Sequence, residues 1–254
     1  VNVDVQAWKR EEEEPFVGWD FSALKGRMTE SSPPWDYLAL ARAALAGRQR
    51  LLDLGTGGGE RLLELKDAWP PSVTVTEGHP PNVALAAERL TPLGVSVVEA
   101  GLPRNGDLPF ADGAFDLVLN RHSGFSPRAV SRVLAPGGVF LTQQVHGRTL
   151  DDLRTEFGVE PPWPEAVPES YGPELEASGL RIRRCEAFAG PIAFHDVGAL
   201  VFYLRAVPWT VPGFTVDGHR DTLLRLHQRL AAGPLVFTSR LYLIEAVKVG
   251  RADP

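Results

Sequence analysis

The chain has 254 residues, 44% of them hydrophobic and 23% charged, with a formal net charge of −6; these are the proportions of an ordinary globular protein with a sizeable core. The acidic balance weighs against a nucleic-acid partner, which leaves a basic footprint. The single cysteine, Cys185, excludes an internal disulfide and a Cys-rich zinc site.

The first 47 residues form a preface with no apolar stretch of the signal-peptide kind in Val1 to Arg10. Glu11 to Glu14 read as a solvated face. Aromatic residues follow at Phe16, Trp19 and Phe21, then Ser31-Ser32-Pro33-Pro34. A helix is predicted from Pro34 to about Ala46, because Pro suits a first helical turn and Gly47 a stop. Strand and helix then alternate. Leu51 to Leu54 is a short apolar strand, and a helix from about Gly58 to Ala68 buries Leu62, Leu63 and Leu65. Val73 to Thr76 is β-branched throughout and reads as a strand. Pro81 to Leu90 is a helix and Val95 to Glu99 a strand. The turn Asp112-Gly113 introduces a strand from Phe115 to Asn120. Ser126-Pro127 opens a helix to about Leu134, with Ser as N-cap and Pro at the first position. Val139 to Val145 is a strand, and Asp151-Asp152 favour a helix start through the dipole.

Beyond residue 158 the alternation loosens around Pro161, Pro162, Pro164 and Pro168. A short helix from Pro173 to Ser178 and a strand from Arg181 to Phe188 follow. Asp196 reads as the N-cap of a helix to Ala206. A helix from about Val216 to Ala232 sets Leu223, Leu224, Leu226, His227 and Leu230 on one face and Arg220, Arg225 and Arg229 on the other. Leu241 to Val249 is the last strand. The longest apolar run, Val197 to Leu204, is too short to cross a bilayer. This pattern predicts a parallel sheet covered on both faces, as one domain over 1–254. Its core spans about 48–189 and 235–250, and residues 1–47 and 190–234 are expected to form a cap. The low cysteine content and the missing leader and membrane span predict a cytoplasmic protein.

The densest chemical signal is Asp53-x-Gly55-x-Gly57-x-Gly59 between a strand and a helix. Glycines there let the backbone turn tightly and approach a ligand. The following helix start offers unpaired N–H groups to an anion. A dinucleotide fingerprint, Gly-x-Gly-x-x-Gly, would need a third glycine where Glu60 stands, and a P-loop lacks its Gly-Lys-Ser/Thr. Glu77, ending the second strand of the alternating part, can accept hydrogen bonds from ribose hydroxyls, and this points to a nucleoside.

With those residues in view, the chain resembles the class I methyltransferases that use S-adenosylmethionine (SAM) and release S-adenosylhomocysteine. The resemblance runs from about Leu51 to Val145. It includes the glycine loop, Glu77, the segment Leu108 to Val118, and Leu134-Ala135-Pro136-Gly137-Gly138. Gly18 to Ser22 and Trp35-Asp36-Tyr37 are similar to an uncharacterised bacterial subgroup of that family. The resemblance implies an α/β, Rossmann-like doubly wound sheet of seven strands with the last antiparallel, under a helical cap. It implies SAM contacts from Asp53, Gly55, Thr56, Gly57, Gly59, Glu77, Gly78 and Asn120. Family members carry an Asp after the third strand for the adenine amino group. Here that stretch reads Glu99 to Asp107, so Leu102 is the candidate to pack on adenine, with Asp107 as a shifted alternative.

Substrate chemistry belongs beyond the carboxyl ends of the strands. His122 is a candidate general base by its reference pKa, although a loop histidine bonded to backbone is the other reading. Arg121, Gln144, Tyr203 and Trp209 are candidate substrate contacts, and Gln143 and His146 lie nearby in sequence. The expected reaction is methyl transfer to the O, N or C atom of a small molecule. An RNA methyltransferase, a non-catalytic SAM-binding protein and an NAD-linked enzyme are the rival readings. No His/Asp/Glu spacing suggests a metal, and the sequence leaves the oligomeric state open.

Overall fold

The computed structural model describes residues 4–14, 21–101 and 106–250. In chain order it holds α1 (Val5–Glu13), β1 (Met28–Glu30), α2 (Tyr37–Leu45), β2 (Arg50–Leu54), α3 (Glu60–Leu63), β3 (Ser72–Glu77), α4 (Pro80–Leu90), β4 (Ser96–Glu99), β5 (Phe115–Arg121), α5 (Pro127–Val133) and β6 (Leu134–Val145). There follow α6 (Asp151–Phe157), α7 (Pro168–Ala177), β7 (Leu180–Phe194), α8 (Val197–Ala206), α9 (Arg220–Arg229) and β8 (Leu235–Lys248). The sheet has eight strands among the described residues, in the order β1-β7-β8-β6-β5-β2-β3-β4. The expected count of seven is therefore corrected to eight. The additional strand, β1, has three residues, Met-Thr-Glu, too few to carry an alternation. The class is as expected: β2 runs parallel to β3 and β5, β3 to β4, and β5 to β6, while the last strand, β8, is antiparallel to β6.

The chain packs into two compact units, one of residues 1–33, 147–165 and 188–240, the other of 34–146, 166–187 and 241–254. In the second unit, β2 sits between β3 and β5, so the chain leaves it in opposite directions along the sheet. This switch point is where open α/β sheets hold ligands. Leu51, Leu52 and Leu54 are wholly buried, as are Val118, Phe140, Ile244 and Ala246 from the neighbouring strands. Ser126 caps α5 as the sequence suggests, its hydroxyl accepting from the Ala129 N–H at 3.3 Å. The helix expected over 58–68 does not form as one piece. Gly59 lies at φ +84°, and α3 is a single turn. The Trp69 indole then donates to the Leu62 carbonyl at 3.1 Å, and a separate 3-10 turn covers Lys66–Ala68.

The first unit is built from α1, α6, α8 and α9, with β1 paired antiparallel to the end of β7. It is therefore not purely helical. Asp4 caps α1, which the sequence reading missed, by accepting from the Ala7 N–H at 3.1 Å. Trp8 packs with Val197, Val201, Val216 and Leu223. The acidic run is also only partly solvated, since Glu11 pairs with Arg27 at 2.8 Å and Glu12 accepts from the Val216 N–H at 3.0 Å. Asp196 caps α8 through the Ala199 N–H at 2.7 Å. The helix expected from Val216 begins at Arg220, because Thr215 Oγ1 takes the Gly218 N–H at 3.0 Å and holds a turn. No helix among the described residues is long and apolar enough to cross a membrane.

Candidate functional site

β2 delivers Asp53 one residue before its end, and the chain then turns through Gly55, Gly57 and Gly59, at φ +68°, +63° and +84°. These left-handed values admit glycine without strain. The glycines differ in what surrounds them. A Cβ on Gly55 would lie 2.2 Å from Ser123 Oγ, and one on Gly59 would lie 2.9 Å from Leu90. One on Gly58 would lie 2.7 Å from Leu85. Those three are pressed against the protein. A Cβ on Gly57 would meet only Glu60 Oε2, at 3.7 Å. Gly57 is the position where the loop presents open space.

Glu77 ends β3 and is buried. Its Oε2 accepts from the Gly57 N–H at 2.8 Å, and its Oε1 accepts from the N–H groups of Gly78 and His79, both at 2.9 Å. One carboxylate thus ties the glycine loop to the turn after β3, with charge-assisted bonds. Gly78 permits a close crossing there, since a Cβ would lie 2.7 Å from Gly101 Cα. Burial pushes the Asp53 carboxyl up to about 6, against the pull of the Thr56 hydroxyl and with the help of the Glu77 charge. Thr56 Oγ1 is itself buried and makes no hydrogen bond of normal geometry.

At the ends of β5 and β6 the polar groups are spent on one another. Asn120, wholly buried, donates through Nδ2 to the Leu54 carbonyl at 3.0 Å. Its Oδ1 accepts from Thr142 Oγ1 at 2.8 Å and from Gln144 Nε2. Gln144 Nε2 also reaches Ser123 O at 3.0 Å and Thr142 Oγ1 at 2.7 Å. Both amides are therefore engaged by neighbouring groups at the ends of the strands.

His122 is joined to Gln143 beside this network. It sits at φ +55°, an uncommon conformation for a residue with a Cβ. The Trp35 indole can only donate, and its partner is Gln143 Oε1 at 2.8 Å. That fixes the amide, so Gln143 Nε2 donates to His122 Nε2 at 2.9 Å. The basic nitrogen of His122 is occupied and the proton resides on Nδ1. The residue keeps an exposed edge, but the protein crowded round the ring and the charges of Arg121 and Arg61 hold its pKa below the ordinary histidine value. Tyr37, which sequence reasoning named without a role, is buried and donates to the Asn120 carbonyl at 3.3 Å; burial, then the nearby Asp53 charge, keep it protonated.

Arg121 is half-buried and makes no side-chain hydrogen bond or ion pair among the described residues. Burial, then the charge of Arg61, lower its pKa. Leu102 and Trp19 lie outside the described residues. Asp107 is held by Arg132 at 2.8 Å and by the Leu108 N–H at 2.9 Å, a surface ion pair that lowers its pKa. Tyr203 and Trp209 belong to the first unit, Tyr203 against Phe194 at 5.3 Å and Trp209 against Trp163 at 6.4 Å between ring centroids. No group of three His, Cys, Asp or Glu among the described residues could hold a metal ion.

A parallel sheet closed by an antiparallel last strand, with a glycine loop after its central strand and an acid ending the next, defines the class I methyltransferase fold. Residues 51–138 match the family described as "Methyltransferase domain". Over 114 residues the chain is 36% identical to demethylmenaquinone methyltransferase of Thermus thermophilus, covering 41% of this chain and 50% of that protein. The chain thus spans about half the length of the curated relative it matches. Among solved structures it is similar to the YcgJ protein from Bacillus subtilis, with TM-score 0.59, 20% identity and 84% and 98% of the two chains covered. It is also similar to a putative methyltransferase from Bacillus halodurans, with TM-score 0.59, 17% identity and 84% and 99% covered. Residues 51–138 are thus similar to a methyltransferase domain, and the fold is that of the class I methyltransferases.

Proposed function

We propose that the chain binds SAM on the Asp53–Gly59 loop and transfers its methyl group to a small-molecule acceptor. The observation that carries this reading is the contrast within the loop: Gly57 alone of its glycines opens on free space, and the carboxylates of Asp53 and Glu77 end the two strands beside the loop. These groups fit the cofactor. The anions of Asp53 and Glu77 suit a cationic ligand. Glu77 Oε2, which accepts one protein N–H, retains acceptor capacity for a ribose hydroxyl.

When bound, SAM supplies a methyl group already activated on a sulfonium. The chain's own task is then to orient and enclose, which proximity can reward heavily. Asp53, Thr56 and Glu77 orient the cofactor. Arg121 is the cation available to an acceptor. The proton of a protonated acceptor leaves to solvent, because His122 Nε2 is already occupied.

The acidic composition supports a small molecule over RNA. So does the engagement of the arginine face of α9, where Arg229 pairs with Glu156 and Arg225 bonds Thr222 Oγ1 at 3.0 Å. The name of the Thermus relative makes demethylmenaquinone one acceptor to try. Calorimetry with S-adenosylhomocysteine and with NAD tests the cofactor, and binding of NAD alone overturns the reading. Labelled SAM offered with metabolite extract, demethylmenaquinone and structured RNA tests the acceptor. Label entering RNA alone, with binding that falls steeply with salt, overturns the small-molecule part.

A further inference from the structure

β7 is the longest strand of the sheet, and most of its outer side is bare. β1, at the end of the sheet, pairs with it only over Ile192–Phe194, and Ser31 takes the Pro191 carbonyl at 3.0 Å. No strand among the described residues lies beyond residues 180–190. The backbone N–H and C=O groups aimed outward there form an edge of the kind that accepts another strand. Burial alternates along it. Ile182, Arg184 and Glu186 lie on the half-buried face, where Ile182 Cδ1 is 3.4 Å from the place a Cβ would take on Gly172 of α7. Arg183, Cys185 and Ala187 lie on the exposed face.

Sheet edges are commonly guarded by charges that repel a chance partner, and this one carries Arg183, Arg184 and Glu186. Their order makes one pairing an exception. When a sheet continues antiparallel across a two-fold axis, the contact is self-complementary, with residue i meeting j and j meeting i. Residues directly opposite then share a face. An axis at Arg183 or Arg184 sets an arginine against itself, one at Glu186 sets two carboxylates together, and one at Ala187 sets Glu186 against Phe188. An axis at Cys185 sets each Arg184 opposite the second copy's Glu186, and each Arg183 opposite the second copy's Ala187. Arg184 Nε already donates to Glu186 Oε1 of its own strand at 2.5 Å. Two copies therefore bring together four charges of alternating sign on one face. On the other face each long arginine meets a methyl group.

We infer that the chain dimerises with a second copy of itself, the two β7 edges pairing antiparallel about Cys185 to continue one sheet across both copies. Arg184 and Glu186 set the register, and the outward backbone groups supply the hydrogen bonds. β8, β6 and β5 stand between β7 and the strand that carries the glycine loop. The inference therefore does not rest on the methyl-transfer reading, and failure of either leaves the other standing.

Two measurements on the whole chain test this: sedimentation velocity over a concentration series, and thiol crosslinking with a short bismaleimide. The linker can join only Cys185 to Cys185, because the chain has no other cysteine. The expected result is a dimer that the linker joins. Glu186→Arg sets Arg184 against an arginine and weakens the dimer about tenfold or more, since like charges directly opposite destabilise a strand pair. The double exchange, Arg184→Glu with Glu186→Arg, restores the dimer to within about threefold and restores the crosslink. Cys185→Ser abolishes the crosslink, which assigns it to that thiol. Both charged side chains are about a third exposed, at 31% and 39%, and melting curves confirm that the variants fold. If Glu186→Arg does not fold, sedimentation and crosslinking of the unaltered chain decide the matter. A monomer at high micromolar concentration, a dimer that the linker fails to join, or a dimer that folded Glu186→Arg leaves unweakened overturns the inference.

Discussion

Two regions lie side by side at the carboxyl ends of the parallel strands, and they treat their polar groups in opposite ways. Around Asn120, Thr142, Gln143 and Gln144 the groups are matched to one another, down to the tautomer of His122. Around the glycine loop, Asp53 is held away from its ordinary pKa and Gly57 faces open space. A closed network fixes geometry, while an open one is completed by something else. Residue type does not separate the two, since both contain groups that catalytic sites favour.

The comparison is broken most sharply at two glycines of one loop. Gly57→Val is expected to cost only about 1–2 kcal/mol of backbone strain yet to weaken S-adenosylhomocysteine more than about a hundredfold, as its side chain fills the open space. Gly55→Ala should do the reverse. Its methyl meets Ser123, so stability falls by about 2–4 kcal/mol and the folded fraction binds with little change. Melting curves and calorimetry on both variants check the pair, and similar behaviour would erase the distinction.

Glu77→Ala sits between the regions, because its carboxylate serves both the loop and the proposed ribose. Loss of charge-assisted bonds at about 1.5–3 kcal/mol each should weaken the cofactor roughly ten- to hundredfold and also lower the melting temperature. Unchanged affinity in the folded variant would reduce Glu77 to a loop clamp.

Asp53 gives a pH-dependent version. Its folded pKa, about 6, is above the usual 3.8, so the folded chain binds the extra proton. That stabilisation is full below about pH 4 and is lost as pH rises through about 6. Asp53→Asn should therefore stabilise the free protein above pH 6, by on the order of 1–2 kcal/mol, and not at pH 4. Wild-type affinity for SAM should drop as pH falls through about 6, and the variant should lack that limb. Urea titrations and calorimetry across pH 4–8 follow both effects.

The smallest effect is expected in the closed network. His122→Asn suits the positive φ and should leave methyl transfer within about threefold, with no lost limb in the pH profile. A drop of a hundredfold would restore the histidine as a base.

The glycine loop, Glu77 and the caps at Ser126 and Asp196 were legible in the sequence because each depends on neighbours a few residues away. The antiparallel last strand was legible through the family resemblance. The pairing of His122 was not, because its partner Gln143 is held by Trp35, 108 residues away. Trp35-Asp36-Tyr37 gave a signal, as two aromatics beside a helix cap, but nothing local showed where they point. The strand β1 and the helix α1 were missed because three residues have no period, and because α1 spends its few apolar side chains on residues near 200.

The segments that make up the first unit have a consequence during synthesis. Trp8 finds its partners Val197, Val201, Val216 and Leu223 only after the intervening residues have left the ribosome. At about 5–20 residues per second, the apolar side of α1 waits roughly 10–40 seconds for the surface that covers it. The nascent chain therefore carries an uncovered tryptophan beside a run of four glutamates, whose charge favours solvation of that segment until α8 arrives.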